Sequence, residues 1–303
     1  MSEYSEILYF DELVSTNLYA KEHYRELADN TLIIAGSQTG GRGRLGRKWL
    51  SPANCNIYAT LLIKNVHDPN LVGAIVGLSA LAVIREVAPE LKAYIKWPND
   101  IYVGKAKLAG ILSESCELKD GKLSVVGCGV GINVNSTREE LNLINQAATS
   151  LFCETKTEFN LNFFRKRLAF FANWYYIMYL NSYTDFFAEW VKFNKLIGQE
   201  LALIDAQGIS HSGIACRINH DGGLVLREKL CAVSLNKGID KGGMKAQKTG
   251  DSDASNRNNS QDDSIDKSNG GVDLSQEFSE VERVYYCGDV SVDKSSIDFD
   301  KLF

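Results

Sequence analysis

"GGRGRLGRKWLSP", residues 41–53, sets three arginines and a lysine on a glycine-spaced loop in a 303-residue chain whose formal net charge is −5. Gly41, Gly43 and Gly46 satisfy a GxGxxG spacing, and the β-rich run "TLIIAG" (31–36) precedes them. A dinucleotide fingerprint needs a helix to open at such a loop, so that its N-terminus faces a pyrophosphate. Here "KWLSPANCN" follows, and then another β-rich run, "NIYATLLIK" (56–64). The GK[ST] ending of a P-loop is also missing. The loop therefore acts through its side chains. Arginine offers planar, permanently charged donors for phosphate or carboxylate, and glycine lets the backbone fold tightly enough to aim them together.

The bulk properties make this basic loop a local feature. With 45% apolar and 23% charged residues the chain reads as an ordinary soluble globular protein. Its acidity argues against sequence-independent nucleic-acid binding. The N-terminus lacks the basic and apolar regions of a signal peptide, and the best apolar run, "LVGAIVGLSALAVI" (71–84), is too short to span a membrane and reads as a buried helix. Seven scattered cysteines without a CxxC pair, and four histidines, point to reduced thiols in a cytoplasmic protein rather than disulfides or zinc.

Working outward, "ILYF" (7–10) reads as a strand and "STNLYAKEHYRELA" (15–28) as a helix capped by Ser15 or Thr16. Extended segments follow at "AYIKW", "IYV", "KLAGILSES" and "LSVVGCGVGINVN"; Gly127, Gly129 and Gly131 in the last suit close backbone approach or a bulge. Two aromatic-rich helices occupy roughly 161–196, and their aromatics read as core. From about 197 short strands separated by glycine turns suggest a small β-barrel. It is interrupted at about 237–280 by a Ser-, Asn-, Asp- and Lys-rich stretch with too little apolar content to order itself.

The second motif is "KWPNDIYVGKAKLAGIL" (96–112). Pro98 drives Trp97 into extended geometry, so a strand should end there and Asn99 and Asp100 should lie in a turn. Lys107 opens the next apolar strand close to that turn. One carboxylate and one positioned ammonium on a hairpin suit a nucleotide with its metal.

Taken together, "GRGRLGRKW", "KWPNDIYV…KLAGIL", the upstream "STN" (15–17) with Gln38, and "GVGINVN" resemble, in order and spacing, the motifs of the biotin–protein ligases, or biotin–[acetyl-CoA-carboxylase] ligases. The resemblance covers roughly residues 6–190. It implies an α+β fold: a mixed β-sheet with packed helices (1–196), then a small SH3-like β-barrel (197–303) whose closing strand is "CGDVSV". It places Ser15, Thr16, Asn17, Gln38, Arg42, Gly43, Arg44 and Lys107 around biotin. Arg44, Arg47 and Lys107 would face the phosphate and the biotin carboxylate. Trp49 would pack beside the nucleotide, Asn133 would meet the adenine, and Asn99 and Asp100 would border the phosphates and Mg²⁺.

The implied chemistry is activation of biotin by MgATP to biotinyl-5′-AMP, with Lys107, Arg44, Arg47 and Asp100 as catalytic groups. Transfer to a lysine of a biotin carboxyl carrier protein or carboxylase biotinyl domain would follow. Relatives often form homodimers through their sheets, although nothing in these residues establishes one. The chain starts almost at the catalytic domain, so the DNA-binding helix-turn-helix of repressor members, and with it DNA as a partner, is not expected. Rival readings are a lipoate or octanoate ligase or transferase, which needs its own loop motif or an acyl-accepting cysteine, and a catalytically inert interaction protein.

Overall fold

The computed structural model describes residues 6–205, 207–230, 279–286 and 289–292, so most of the 237–280 stretch lies outside the described residues. The chain divides into two compact units, residues 1–227 with 282–303, and residues 228–281.

The first unit is built on a seven-stranded mixed sheet. Its strands are β1 (Ile7–Leu13), β2 (Thr31–Gln38), β3 (Ile57–Ile63), β4 (Ala93–Lys96), β5 (Asp100–Val103), β6 (Ala106–Lys119) and β7 (Lys122–Ile132), in the order β1-β2-β3-β7-β6-β5-β4. β1 runs parallel to β2, and every other neighbouring pair is antiparallel. β3 is buried at all seven residues, the mark of a central strand covered on both faces.

Alternation along the strands sorts side chains between two layers. Leu32, Ile34, Ile57, Ala59, Leu61 and Ile63 join the main core with α2 (Val72–Val87) and α5 (Leu161–Asn181), whereas Ile33 and Leu62 pack on the other side with Ala20 of α1 (Thr16–His23). α1 is shorter than the sequence suggests. Beyond His23 the chain continues in turns, with Glu26 and Leu27 donating back to the His23 carbonyl. Ser15 sits at the N-cap in extended geometry, but its side chain makes no capping bond.

Three short elements carry no signal in the sequence reading: a 3-10 turn at Arg44–Gly46, α3 (Arg138–Leu141) and α4 (Leu151–Thr155). α5 corrects the expectation for its aromatics. Phe164, Leu168, Tyr175, Tyr176 and Tyr179 are core, but Phe163, Phe170 and Trp174 are exposed, together with Ile177. A 21-residue helix can bury only one stripe, here chiefly against α2.

α6 (Tyr183–Phe193) leads to a second sheet, in which β8 (Glu200–Ile204), β9 (Ser210–Ile218), β10 (Leu224–Leu230), β11 (Ser279–Tyr285) and β12 (Asp289–Val292) are ordered β11-β10-β9-β8-β12. The β9–β10 turn reaches the first sheet, where Trp97 Nε1 donates to the Gly222 carbonyl at 2.9 Å. Gly222 holds φ +82° there, with Leu71 against it.

Candidate active site

β7 makes the room for the site. Val126, Cys128, Val130 and Ile132 face the main core, and by the same alternation Gly127, Gly129 and Gly131 face the α1 side. These glycines leave a floor without side chains. A methyl on Gly129 would collide with Asn17, and one on Gly131 with the Trp49 indole, which also lies 3.1 Å from where a Gly110 methyl would sit. The close approach expected of Gly129 and Gly131 is what the structure contains. Above the floor lies a cleft of about 760 Å³, open to solvent. Every candidate residue from the sequence except Asn133 lines it.

Part of the cleft lining is held by a continuous chain of hydrogen bonds. Asn17 Nδ2 donates to Glu114 Oε2 at 2.7 Å and to the Leu112 carbonyl at 3.0 Å. Thr60 Oγ1 lies 2.6 Å from Asn17 Oδ1 and 2.8 Å from Thr16 Oγ1. The Thr16 amide donates to Gln38 Oε1, Gln38 Nε2 donates to Ser51 Oγ, and Ser51 Oγ donates to the Trp49 carbonyl, at 2.8, 3.0 and 3.1 Å. Both amide hydrogens of Asn17 are therefore used within the protein, leaving it acceptor capacity only, whereas Gln38 keeps one N–H for a ligand.

The lining is also strongly cationic. Arg42, Arg44, Arg47, Lys48 and Lys107 line the cleft against one lining carboxylate, Asp100. The arginine loop is a tight hairpin: Arg42 bridges Lys48, the Gly43 amide donates to the Arg47 carbonyl at 2.7 Å, and the Trp49 amide donates to the Gly41 carbonyl at 3.0 Å. A methyl on Gly41 would lie 2.6 Å from Ser51 Oγ and from the Trp49 carbonyl, so the hairpin closes only on glycine. At its apex Leu45 takes φ 55°, ψ 33°, a left-handed geometry costing about 1–2 kcal/mol for a non-glycine residue, while its side chain is 76% exposed. Leu45's own side chain, unpacked at the apex, does nothing to offset that strain.

Arg44 Nη1 donates to Asn99 Oδ1 at 2.8 Å, and Asn99 Nδ2 donates to the Ile111 carbonyl at 2.6 Å. The two motifs thus meet directly. Asn99 lies in the expected turn, but Asp100 is the first residue of β5, paired with Lys96 and Gly110. Lys107 Nζ lies 2.7 Å from Asp100 Oδ1 and 5.6 Å from the Trp49 ring centre.

Asn133 is separated from the other candidates. It is 4% exposed, donates from Nδ2 to the Thr149 carbonyl at 3.0 Å, and lines an adjoining cleft of about 320 Å³ with Leu50, Ile144 and Gln146. Trp49 and Lys107 line both clefts, and the Trp49 indole Nε1 is buried with no hydrogen-bond partner. Sequence reasoning missed Thr60, Ser51, Glu114 and Gln146. Thr60 had a signal, a hydroxyl inside the apolar run "NIYATLLIK"; the other three had none.

As for metals, the described residues contain no group of three or more His, Cys, Asp or Glu side chains able to hold an ion. Asp100 alone suits a Mg²⁺ that is carried mainly by phosphates. Nor does any cysteine line either cleft among the described residues. Cys128 is buried, which pushes its thiol up to about 12. No described helix is long and apolar enough to cross a membrane.

A glycine-floored cleft on a mixed sheet lies beside an arginine hairpin, and residues 8–133 match the biotin/lipoate A/B protein ligase family. The chain is 36% identical over 140 residues to the bifunctional ligase/repressor BirA of Escherichia coli, covering 45% of this chain and 43% of that protein. It is 37% identical over 129 residues to a biotin–[acetyl-CoA-carboxylase] ligase of Mycobacterium tuberculosis, 41% of this chain and 45% of that one. The chain thus spans less than half the length of these curated relatives. The fold is similar to that of the biotin protein ligase from Aquifex aeolicus in complex with biotin and ATP, with TM-score 0.63, 26% identity, and coverage of 73% of this chain and 91% of that one.

Proposed function

We propose that the protein is a biotin–protein ligase that makes biotinyl-5′-AMP from biotin and MgATP and then biotinylates a lysine of a carboxylase carrier domain. The observation that carries this reading is the polarity of the main cleft. Its lining is hydrogen-bonding at Asn17 and Gln38 and cationic at Arg42, Arg44, Arg47 and Lys107, and it adjoins a second cleft across Trp49. Biotin has the matching polarity, a ureido head and a carboxylate tail. Gln38 has an N–H to give the ureido oxygen and Asn17 an acceptor for its N–H. Adenosine would occupy the Asn133 cleft beside the unpartnered Trp49 indole.

In the first step the biotin carboxylate attacks the α-phosphorus and pyrophosphate leaves. Arg44, Arg47 and Lys107 hold opposing charge where it builds, and such preorganised electrostatics is the main catalytic effect available here. Asp100 would meet the Mg²⁺ that ATP carries. In the second step the neutral amine of the acceptor lysine attacks the acyl carbon, loses its proton, and AMP leaves. No protein nucleophile is used, in keeping with clefts whose lining holds no cysteine among the described residues. We assign residues 1–196 to catalysis and 197–303 to an SH3-like module, in a cytoplasmic protein.

The test is pyrophosphate release with biotin and MgATP, followed by label transfer to a biotin-carboxyl-carrier domain. Release with lipoate or octanoate in place of biotin would replace this assignment by another acyl ligase of the same family. No release with any of the three would end the ligase reading.

A further inference from the structure

β6, the strand beside the glycine floor, carries a carboxylate just outside the cleft. It pairs with β7 so that Gly110 lies opposite Gly131, Leu112 opposite Gly129 and Glu114 opposite Gly127. Gly110 and Leu112 line the cleft, whereas Glu114, one step further along the same face, lies beyond its lining. The carboxylate is turned to Asn17, whose Nδ2 donates to Glu114 Oε2 at 2.7 Å and to the Leu112 carbonyl at 3.0 Å.

This contact decides which way the Asn17 carboxamide points. A backbone carbonyl and an ionised carboxylate can only accept, so both hydrogens of Nδ2 turn to them and the carboxamide oxygen turns away. On that side Thr60 Oγ1 lies 2.6 Å from Asn17 Oδ1, and Thr60 is fully buried. Because Oδ1 has no hydrogen, the Thr60 hydroxyl is the donor, and it fills one lone pair of the oxygen. The same oxygen lies over the cleft floor, where a methyl on Gly129 would meet it before any other atom. Its second lone pair is left for a ligand.

We propose that Glu114 is a positioning residue for substrate recognition: acting through Asn17, it fixes an acceptor over the cleft floor and so selects an acyl substrate that carries an N–H. This role rests on the biotin reading above and extends it. A cyclic urea has such an N–H, whereas the dithiolane of lipoate and the alkyl chain of octanoate have none. A site built to pair with an N–H leaves its own acceptor unpaired when the analogue lacks one, and it therefore discriminates far more strongly than an apolar pocket does. Since Glu114 lies outside the cleft lining, its effect falls on binding of the acyl substrate and not on the chemical step.

Steady-state pyrophosphate release by the full chain, with biotin and MgATP varied separately, tests this. For Glu114→Leu and Glu114→Ala the KM for biotin should rise about tenfold, the effect of losing one hydrogen bond, with kcat and the KM for ATP unchanged. Glu114→Gln, whose carboxamide oxygen can accept the same hydrogen, should stay within about threefold of the wild type. In an Asn17→Ala background Glu114→Leu should add less than about twofold, as expected of a residue that acts only through Asn17. The alanine variant supplies the readout should the leucine variant fail to fold. An unchanged KM for biotin overturns the proposal. So does a loss that falls equally on ATP, a Glu114→Gln protein as poor as Glu114→Leu, or a loss that persists in the Asn17→Ala background. In each of those cases the wild type still uses biotin and the biotin reading stands. A wild type that releases pyrophosphate with lipoate or octanoate instead of biotin overturns both.

Discussion

Lys107 Nζ and Asp100 Oδ1 stand 2.7 Å apart across the β5–β6 hairpin, with only 16% and 20% of the two side chains exposed. The lysine's backbone is fixed on both sides: its amide donates to the Ala147 carbonyl at 3.0 Å, and the Thr149 amide donates to its carbonyl at 2.9 Å. The lysine is thus anchored at its backbone, and its ammonium, with three N–H groups and one close carboxylate, keeps donors for an incoming anion.

From this we expect Lys107→Ala to slow acceptor-independent pyrophosphate release by about 10²–10³, as removal of a preorganised charge does. Lys107→Arg should rescue little, because a guanidinium fork cannot take the place of a compact ammonium wedged between Asp100 and the Gly110 backbone. Lys105→Ala, in the exposed hairpin turn, should be nearly silent. Near-normal release by a folded Lys107→Ala protein would remove the lysine from the reaction.

Arg44 joins the two motifs through Asn99. Arg44→Ala should weaken adenylate binding by about 1.5–3 kcal/mol, the value of a charge-assisted hydrogen bond, and weaken free biotin less. Calorimetry with biotin and with a non-hydrolysable adenylate analogue separates the two. Equal losses would mean that the arginine does not face the phosphate.

Gly131→Ala forces a methyl into the Trp49 indole. Overpacking of this kind costs about 1–3 kcal/mol, so the thermal midpoint should fall and nucleotide binding should weaken with it. In a Trp49→Ala background the same methyl should be almost harmless. Additive losses in that double-mutant cycle would show that the glycine is needed for something other than the indole.

Asp205 lies in the β8–β9 turn, where His211 Nε2 donates to its Oδ2 at 2.9 Å. That bond, helped by the amides of Ile209 and Gln207, holds the carboxyl below the usual aspartate range. A carboxyl with a lowered folded-state pKa stabilises fully above its unfolded value, near 4, and loses that contribution as pH falls through the lowered value. Between pH 4 and pH 2 the wild-type thermal midpoint should therefore fall more steeply than that of Asp205→Asn. Parallel curves would show that the turn does not depend on the ionised carboxylate.

The sequence by itself determined what depends on chain-local chemistry. The arginines and glycines of 41–47 specify a basic, tightly turned loop, and the strand that follows it rules out a dinucleotide fingerprint. The alternation of "VVGCGVGI" (125–132) specifies a strand with one apolar face and one bare face, since a strand's period is two. What only the tertiary structure decided is which distant groups become neighbours. Glu114, Asn17, Thr60, Thr16, Gln38 and Ser51 come from three strands, one helix and one loop, and their chain of hydrogen bonds exists only once the strands have ordered as β2-β3-β7-β6. Asn133, two residues past Gly131, lies in the neighbouring cleft because Trp49 fills the space above Gly131. The aromatics of α5 likewise look alike in sequence, yet the fold, chiefly through α2, has a place for only one stripe of them. The other stays outside because burial depends on what the fold brings opposite a side chain, and hydrophobicity alone does not say what that will be.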